Sequence, residues 1–282
     1  MKPKSKKRIF KFSILVILLW LAGLFNPISN LHFLVSQTGQ LKFKAENDVN
    51  EKYNDELVNI KKVSFERTNN GGFGKLLNVI NHPRLWIITF KENDHNFTIS
   101  YSEQGLTSRT ANNGNSIFSV NSNFYDTDQK SLGEIIINGK KLGYTTNSSG
   151  YFKVIDGKAL VGPRSLFENI NGTVEYSCQA HPSVMKDSVI WPYILNESLN
   201  NKTWGRKTYS NLSGIDRKGN VVFLLSADGA LLSVKEMSEL ALQLGIETAT
   251  LFDAGSSLQY SIKAKGFKYH FSAYNNQLNL GF

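Results

Sequence analysis

The sequence predicts an α+β domain, a mixed β-sheet core with hairpins and a few packing helices, preceded by one N-terminal membrane segment. Three observations carry this reading. Asn138-Gly139 and Asp156-Gly157 each separate two extended runs, and such dipeptides favour tight hairpins because both turn positions take positive φ. Residues 233–245 switch to a helical period. The chain starts basic and then turns uniformly apolar, the pattern of a membrane-directed segment.

Taken in order, residues 1–11 form a basic cytoplasmic segment. Lys2, Lys4, Lys6, Lys7, Arg8 and Lys11 supply six positive charges before any acid occurs, and removing those six from the net +9 leaves +3 for the rest. A mild excess without a basic stripe interleaved with aromatics excludes nucleic acid as the expected partner. Residues 12–35 read as a signal anchor or signal peptide. Phe12–Phe25 is strongly apolar, and no charged residue follows until Lys42. Fourteen apolar residues are short for a span of about 20, but the uncharged stretch continues and shows no small-x-small cleavage site, which favours an anchor. Positive residues stay inside. The expected location is therefore the cell membrane, single-pass with the C-terminal domain extracytoplasmic, or secreted or periplasmic if the segment is cleaved. Cys178 is the sole cysteine, which excludes an internal disulfide and any CxxC site and predicts a packed core thiol.

Residues 36–60 are polar and read as a linker, and residues 61–282 as the domain. Leu85–Phe90 and Phe97–Tyr101 read as strands. The two hairpins follow, and "GIDRKGNVVFLLS" predicts a third. In "SVKEMSELALQLG", Val234, Met237, Leu240, Ala241 and Leu244 share one helical face. Ser233 with Glu236 forms a capping box, and Gly245 supplies the stop. A strand, "IETATLF", then runs into Asp253. A crossover helix normally joins parallel neighbours, and ligands gather beyond the carboxyl ends of such strands. Asp253 stands at one of these ends, before the small residues of "DAGSS".

No Gly-x-Ser-x-Gly elbow, Walker loop or His-Glu-x-x-His pair is present, the histidines lack ligand spacing, and no metal site is predicted. "NNGGFG" at residues 69–74 reads as a loop. Three polar stretches stand out: "FSVNSNFYDTD" with Asn121, Asn123 and Asp126; "YSCQAHPSV" with Gln179 and His181; and "TYSNLSGID" with Asn211. Asn and Gln carry both donors and acceptors, which suits sugar hydroxyls. The same residues also fit Asx turns and strand-end hydrogen bonds.

In order, "NSNFYD", "LGEIIINGK", "QAHPSV", "SNLSGIDRKGNVVFLLS" and "LFDAGSS" resemble the phosphodiester glycosidase family from about Phe118 to Tyr260. The resemblance assigns Asn121 and Phe124 to the first motif, and Gly133 to the glycine before the hairpin. Gln179 and Pro182 fall in the third, Asn211 and Gly214 in the fourth, and Asp253, Gly255 and Ser256 in the last. Ser122, Asn123 and Ala254 stand where the family has glycines. Ser210 stands where many relatives have arginine, so a two-pronged phosphate clamp is missing there.

What the resemblance implies is an extracytoplasmic hydrolase that cleaves a sugar-1-phosphodiester linkage in an envelope or extracellular glycan. Its partners would be a glycan or sugar-phosphate substrate and, through the N-terminal segment, the membrane. Asp253 is the expected catalytic carboxylate, with Asp126 and Glu134 as candidates for a second. Asn121, Asn123, Gln179, His181, Asn211, Gly255 and Ser256 are the expected substrate-binding residues. No cofactor is evident, and a divalent cation is left open. The alternative is a catalytically silent envelope-glycan binding protein on the same fold, and a third reading is a purely structural membrane-assembly protein.

Overall fold

The computed structural model describes residues 14, 41–43, 50–67, 84–91, 96–102, 116–126, 128, 130–147, 149–196, 207–227 and 230–273. The predicted membrane segment (apart from Ile14) and the glycine-rich loop at 69–74 lie outside these residues. Among the described residues no helix is long and apolar enough to cross a membrane.

The fold is mostly β-sheet with few helices. Strands β1 (Leu41–Phe43), β2 (Asn50–Asn54), β3 (Val58–Arg67) and β4 (Arg84–Phe90) open the large sheet. Next come β5 (Phe118–Val120), β6 (Ile135–Ile137), β7 (Lys140–Lys141), β8 (Gly150–Ile155), β9 (Lys158–Pro163) and the short helix α1 (Arg164–Phe167). Then follow β10 (Val174–Ala180), β11 (Ser183–Lys186), β12 (Val189–Ile190), the short helix α2 (Pro192–Leu195), β13 (Asn211–Asp216) and β14 (Val221–Ser226). Helix α3 (Val234–Gln243), β15 (Ile246–Leu251), β16 (Gln259–Ala264) and β17 (Phe267–Ser272) complete the set. The nine-stranded sheet has the order β1-β3-β4-β14-β13-β15-β11-β12, with β2 on β3. A five-stranded sheet runs β7-β6-β10-β8-β9, and a three-stranded sheet runs β17-β16-β5.

The apolar runs are continuous because both faces of the central strands are buried. Trp86, Ile88 and Phe90 of β4, with Val221, Phe223 and Leu225 of β14, face one core shared with Phe152, Phe252, Tyr260 and Phe271. Their neighbours Leu85, Ile87, Val222 and Leu224 face the other, under Met237, Leu240 and Ala241 of α3. The period-2 alternation of a strand divides each run between the two cores. Helix α3 starts at the predicted capping box, with Ser233 Oγ accepting from Glu236 N–H and the Glu236 carboxylate accepting from Ser233 N–H. Both predicted hairpins form, with φ 50° and 76° at Asn138 and Gly139, and 48° and 78° at Asp156 and Gly157.

Three expectations change. Residues 41–43, 50–54 and 58–60, assigned to a polar linker, belong to the large sheet: Leu41 pairs with Arg67 and Asn54 with Asn59. Charged edge strands look like linker in sequence because they bury few side chains. Phe97–Tyr101 is not a strand; Phe97 instead packs edge-on against Phe90 at 5.1 Å. The sheet is not mixed among the described residues, since every strand pairing is antiparallel. β14 and β15 do run parallel to each other around α3, but β13 lies between them and opposes both.

One close backbone approach tightens the base of the β6–β7 hairpin. A Cβ at Gly143 would lie 2.3 Å from the Gly133 carbonyl oxygen. Gly143→Ala is therefore expected to cost about 2 kcal/mol. Denaturant unfolding should show a lower midpoint with an unchanged slope.

Candidate functional site

The site forms where β15 ends. Leu251 enters one core and Phe252 the other, so the strand is held from both faces and Asp253 is carried just beyond it. Phe252 N–H donates to the Asn211 carbonyl at 2.9 Å, and Asp253 N–H to the Ser122 carbonyl at 2.8 Å. The Asp253 residue is only 5% exposed.

Asn121 reaches this point because β5 pairs with β16, the strand that follows the "DAGSS" turn. Asn121 N–H donates to the Gln259 carbonyl at 3.2 Å, and Gln259 N–H donates back to Asn121 Oδ1 at 2.9 Å. Asn121 Nδ2 then donates to the Asp253 carbonyl at 3.2 Å and, more weakly, to its carboxylate at 3.5 Å. Asn211 Nδ2 holds the Asn121 carbonyl at 2.9 Å. Asn211 is fully buried, and its Oδ1 has no hydrogen-bond partner among the described residues.

Ala254 N–H donates to Asp253 Oδ1 at 2.9 Å, and the nearby Ser257 hydroxyl favours the ionised form of this carboxylate. Tyr125 Oη lies 3.0 Å from Ser257 Oγ, so an exposed phenol and a hydroxyl meet beside the buried acid. Burial pushes the Asp253 carboxyl up to about 7 despite the donors Ala254, Ser257 and Asn121. A carboxyl in that range exchanges its proton near neutrality. Neither Ser257 nor Tyr125 was singled out from sequence as a site residue; the only signal was a hydroxyl repeated after the turn and an aromatic in the first motif.

The other expected residues are placed as follows. Gln179 is clamped by the protein itself. Its Oε1 accepts from Glu134 N–H at 3.0 Å and Thr146 N–H at 2.9 Å, and its Nε2 donates to the Thr146 carbonyl at 2.8 Å. Asn123 Nδ2 donates to Ser131 Oγ at 3.1 Å and to the Glu134 carbonyl at 3.3 Å. Both side chains tie loops together. His181 is half-buried, with Nδ1 3.2 Å from Ser149 Oγ, and burial holds its pKa below the ordinary value. Gly255 N–H donates to the Tyr209 carbonyl at 2.8 Å, whereas Ser256 is exposed on the turn. Cys178 is the buried thiol predicted, its pKa pushed up to about 12 by burial.

The two candidate second carboxylates are committed elsewhere. Asp126 Oδ1 accepts from the N–H groups of Asp128 and Lys130, both at 2.9 Å, and so closes its own loop. Glu134 is the centre of a buried ion cluster. Lys153 and Ser177 bind its Oε1 at 3.3 and 3.1 Å, and Lys141 and Thr145 its Oε2 at 3.2 and 2.9 Å. Burial alone would raise the Glu134 pKa, but Lys153, Thr145 and Lys141 together outweigh it and the net direction is down. Ser210, which the resemblance sets at the family's arginine position, is 2% exposed, with its hydroxyl 3.3 Å from the Leu232 carbonyl. Lys207 nearby pairs with Glu236 at 3.2 Å.

Opposite pH signs follow. The folded pKa of Asp253 lies above its ordinary 3.8, so its contribution to stability is present at low pH and lost as pH rises through about 7. Asp253→Asn should remove a loss on the order of 2 kcal/mol between pH 5 and 8, read by chemical unfolding. Glu134 is the reverse: its stabilisation is present above the ordinary carboxylate range and lost as pH falls through its lowered folded value. Glu134→Ala should cost about 3 kcal/mol, because it strands Lys153 inside the protein.

The sequence profile of the phosphodiester glycosidase family matches residues 114–279, more than half of the chain. No curated protein matches significantly. Among solved structures, the chain is similar to the zebrafish N-acetylglucosamine-1-phosphodiester alpha-N-acetylglucosaminidase catalytic domain auto-inhibited by pro-peptide. The TM-score is 0.56 at 13% identity, over 85% of this chain and 83% of that one. It is also similar to a hypothetical protein from Synechocystis, with TM-score 0.51 at 12% identity, over 84% of this chain and 65% of that one. At these identities the structural likeness concerns the fold, and the profile match carries the membership. The chain belongs to the phosphodiester glycosidase family.

Proposed function

We propose that this protein is an extracytoplasmic hydrolase that cleaves a sugar-1-phosphodiester in an envelope or extracellular glycan, with Asp253 as its catalytic carboxylate. The observation that carries the reading is the environment of Asp253: a buried acid at a strand end, held by Asn121 and the Ala254 N–H, with a pKa of about 7.

The bond broken is the sugar C1–O bond, and the leaving group is a phosphate monoester. Its second pKa near ~6 makes it a good leaving group without a strong general acid. One carboxylate therefore suffices, in contrast to the usual pair of a glycosidase. Ionised Asp253 supports the oxocarbenium-like transition state or takes the proton of the attacking water. Asn121 and Asn211 act as positioning residues: the Asn121 amide is spent on Asp253 and on the Gln259 N–H, and Asn211 Nδ2 holds the Asn121 carbonyl. Ser256, at the exposed tip of the turn, is the candidate contact for phosphate oxygens.

The silent binding-protein reading keeps one specific support: Ser210 leaves the clamp position without a cation. A panel of sugar-1-phosphodiesters, with and without divalent cations, separates the two. The hydrolase reading expects sugar release whose kcat/KM rises with pH through about 7, and a loss of at least about a hundredfold in Asp253→Asn. Binding without release, unchanged by that substitution, would establish the alternative instead.

A further inference from the structure

The Gly255–Ser257 turn that follows Asp253 is short and has no side-chain cap. Its ends are fixed. Phe252 and Leu258 are buried on either side, Gly255 N–H donates to the Tyr209 carbonyl at 2.8 Å, and Leu258 N–H donates to the Gly255 carbonyl at 3.4 Å. Among the described residues the Ser257 hydroxyl has one partner outside this segment, Tyr125 Oη at 3.0 Å, and the two residues are 132 positions apart. They meet because β5 pairs with β16, which brings the loop after Val120 beside the turn before Gln259.

That loop is tied down where Tyr125 leaves it. Tyr125 bridges Ser131. Asp126 N–H donates to the Lys130 carbonyl at 2.9 Å, and Leu132 N–H to the Phe124 carbonyl at 2.8 Å. Asp126 Oδ1 takes the N–H groups of Asp128 and Lys130. Tyr125 is 46% exposed, so burial does not hold its ring. The loop backbone fixes one end of the side chain and Ser257 the other, and a support held in this way aims its polar group at one place.

A hydroxyl has a single hydrogen to give, and it favours an anion by pointing that hydrogen at it. The Ser257 hydroxyl favours the ionised form of Asp253. Its oxygen then faces Tyr125 as an acceptor, and the phenol is the donor. With the reverse assignment Ser257 would have nothing left for the acid. The other two donors need no such help: Ala254 offers a backbone N–H, and the Asn121 amide is held by Gln259 N–H. Ser257 is the one donor on a free rotor. Among the described residues no charged side chain is an influence on Asp253. Asp126, on the loop of Tyr125, is turned to its own N–H groups, and Cys178, behind Ser122, stays a thiol.

We propose that Tyr125 is a positioning residue of this site: its phenol donates to Ser257 Oγ and so aims the Ser257 hydroxyl at the Asp253 carboxylate. The bearing on catalysis rests on the hydrolase reading; the arrangement of the hydroxyls does not.

The test follows the Asp253 carboxyl by carbon-13 NMR in the full chain labelled at aspartate, with the signal assigned as the one lost in Asp253→Asn. Tyr125→Phe keeps the exposed ring and removes only the hydroxyl, so the fold is retained. It should move the Asp253 midpoint up by about 0.5 in pH, because the serine loses its polarising partner and its fixed direction. Ser257→Ala should move the midpoint up by about 1, the worth of one hydrogen bond to a charged group. The double variant should match Ser257→Ala, since the phenol acts only through the serine. A second arm records kcat/KM against pH on the sugar-1-phosphodiester panel, where Tyr125→Phe should displace the rise by the same amount as the NMR midpoint.

An unmoved midpoint in Tyr125→Phe overturns the proposal. A fall does so too, because the ring would then act only as a shield from water. Shifts that add in the double variant also overturn it. The expected NMR pattern without turnover of any substrate upholds the positioning and removes the hydrolase reading. The expected NMR pattern with an undisplaced kcat/KM profile overturns the bearing on catalysis.

Discussion

The structure around the site depends on keeping one carboxylate out of water. Asp253 is buried at a strand end, and an ion there is costly unless protein donors replace its lost hydration. Ala254 N–H, the Ser257 hydroxyl and Asn121 Nδ2 supply that replacement only in part, and the pKa stays raised. Each donor is itself fixed. Asn121 is exchanged with Gln259 across the β5–β16 pair and held from behind by Asn211, so the acid is gripped by three strands that meet only in the folded chain.

A second constraint sits behind the first. Glu134 gathers Lys141, Thr145, Lys153 and Ser177 from four segments, while its backbone meets Gln179 and Asn123. One of the two side chains expected from sequence as a second catalytic acid is thus the anchor of the loops beside the site. A buried carboxylate with two lysines is committed by Coulomb attraction and by the cost of leaving either charge alone. The division of labour is consistent with the chemistry proposed: a phosphate leaving group asks little of a general acid, so one raised-pKa carboxyl is enough and the other can hold the frame.

Much was legible before folding. The Asn-Gly and Asp-Gly turns, the capping box at Ser233 and the burial of Cys178 follow from local rules, because positive φ, orphan helix donors and a thiol's low polarity are properties of a few residues. Family membership was legible from motif order. The strand end at Asp253 was legible from the change of period. What failed shows where local signals stop. The charged strands β1 and β2 looked like linker because an edge strand is chosen by its neighbour's free hydrogen-bonding edge. Phe97–Tyr101 looked like a strand because alternating apolar residues suit either a sheet or a loop packed on a core.

The sequence by itself determined the hairpins, the helix with its cap, the apolar runs and the position of a lone acid after the last central strand. Only the tertiary structure decided which polar residues remain to meet a ligand. Asn121, Asn123, Gln179 and Glu134 carry the hydrogen-bonding groups a sugar would want, but in the fold most of those groups are already bonded to backbone or to one another. A side chain's chemistry is written in its residue type. Whether that chemistry is spent internally or held ready depends on partners brought together from over a hundred positions away, as Asn121 is to Asp253.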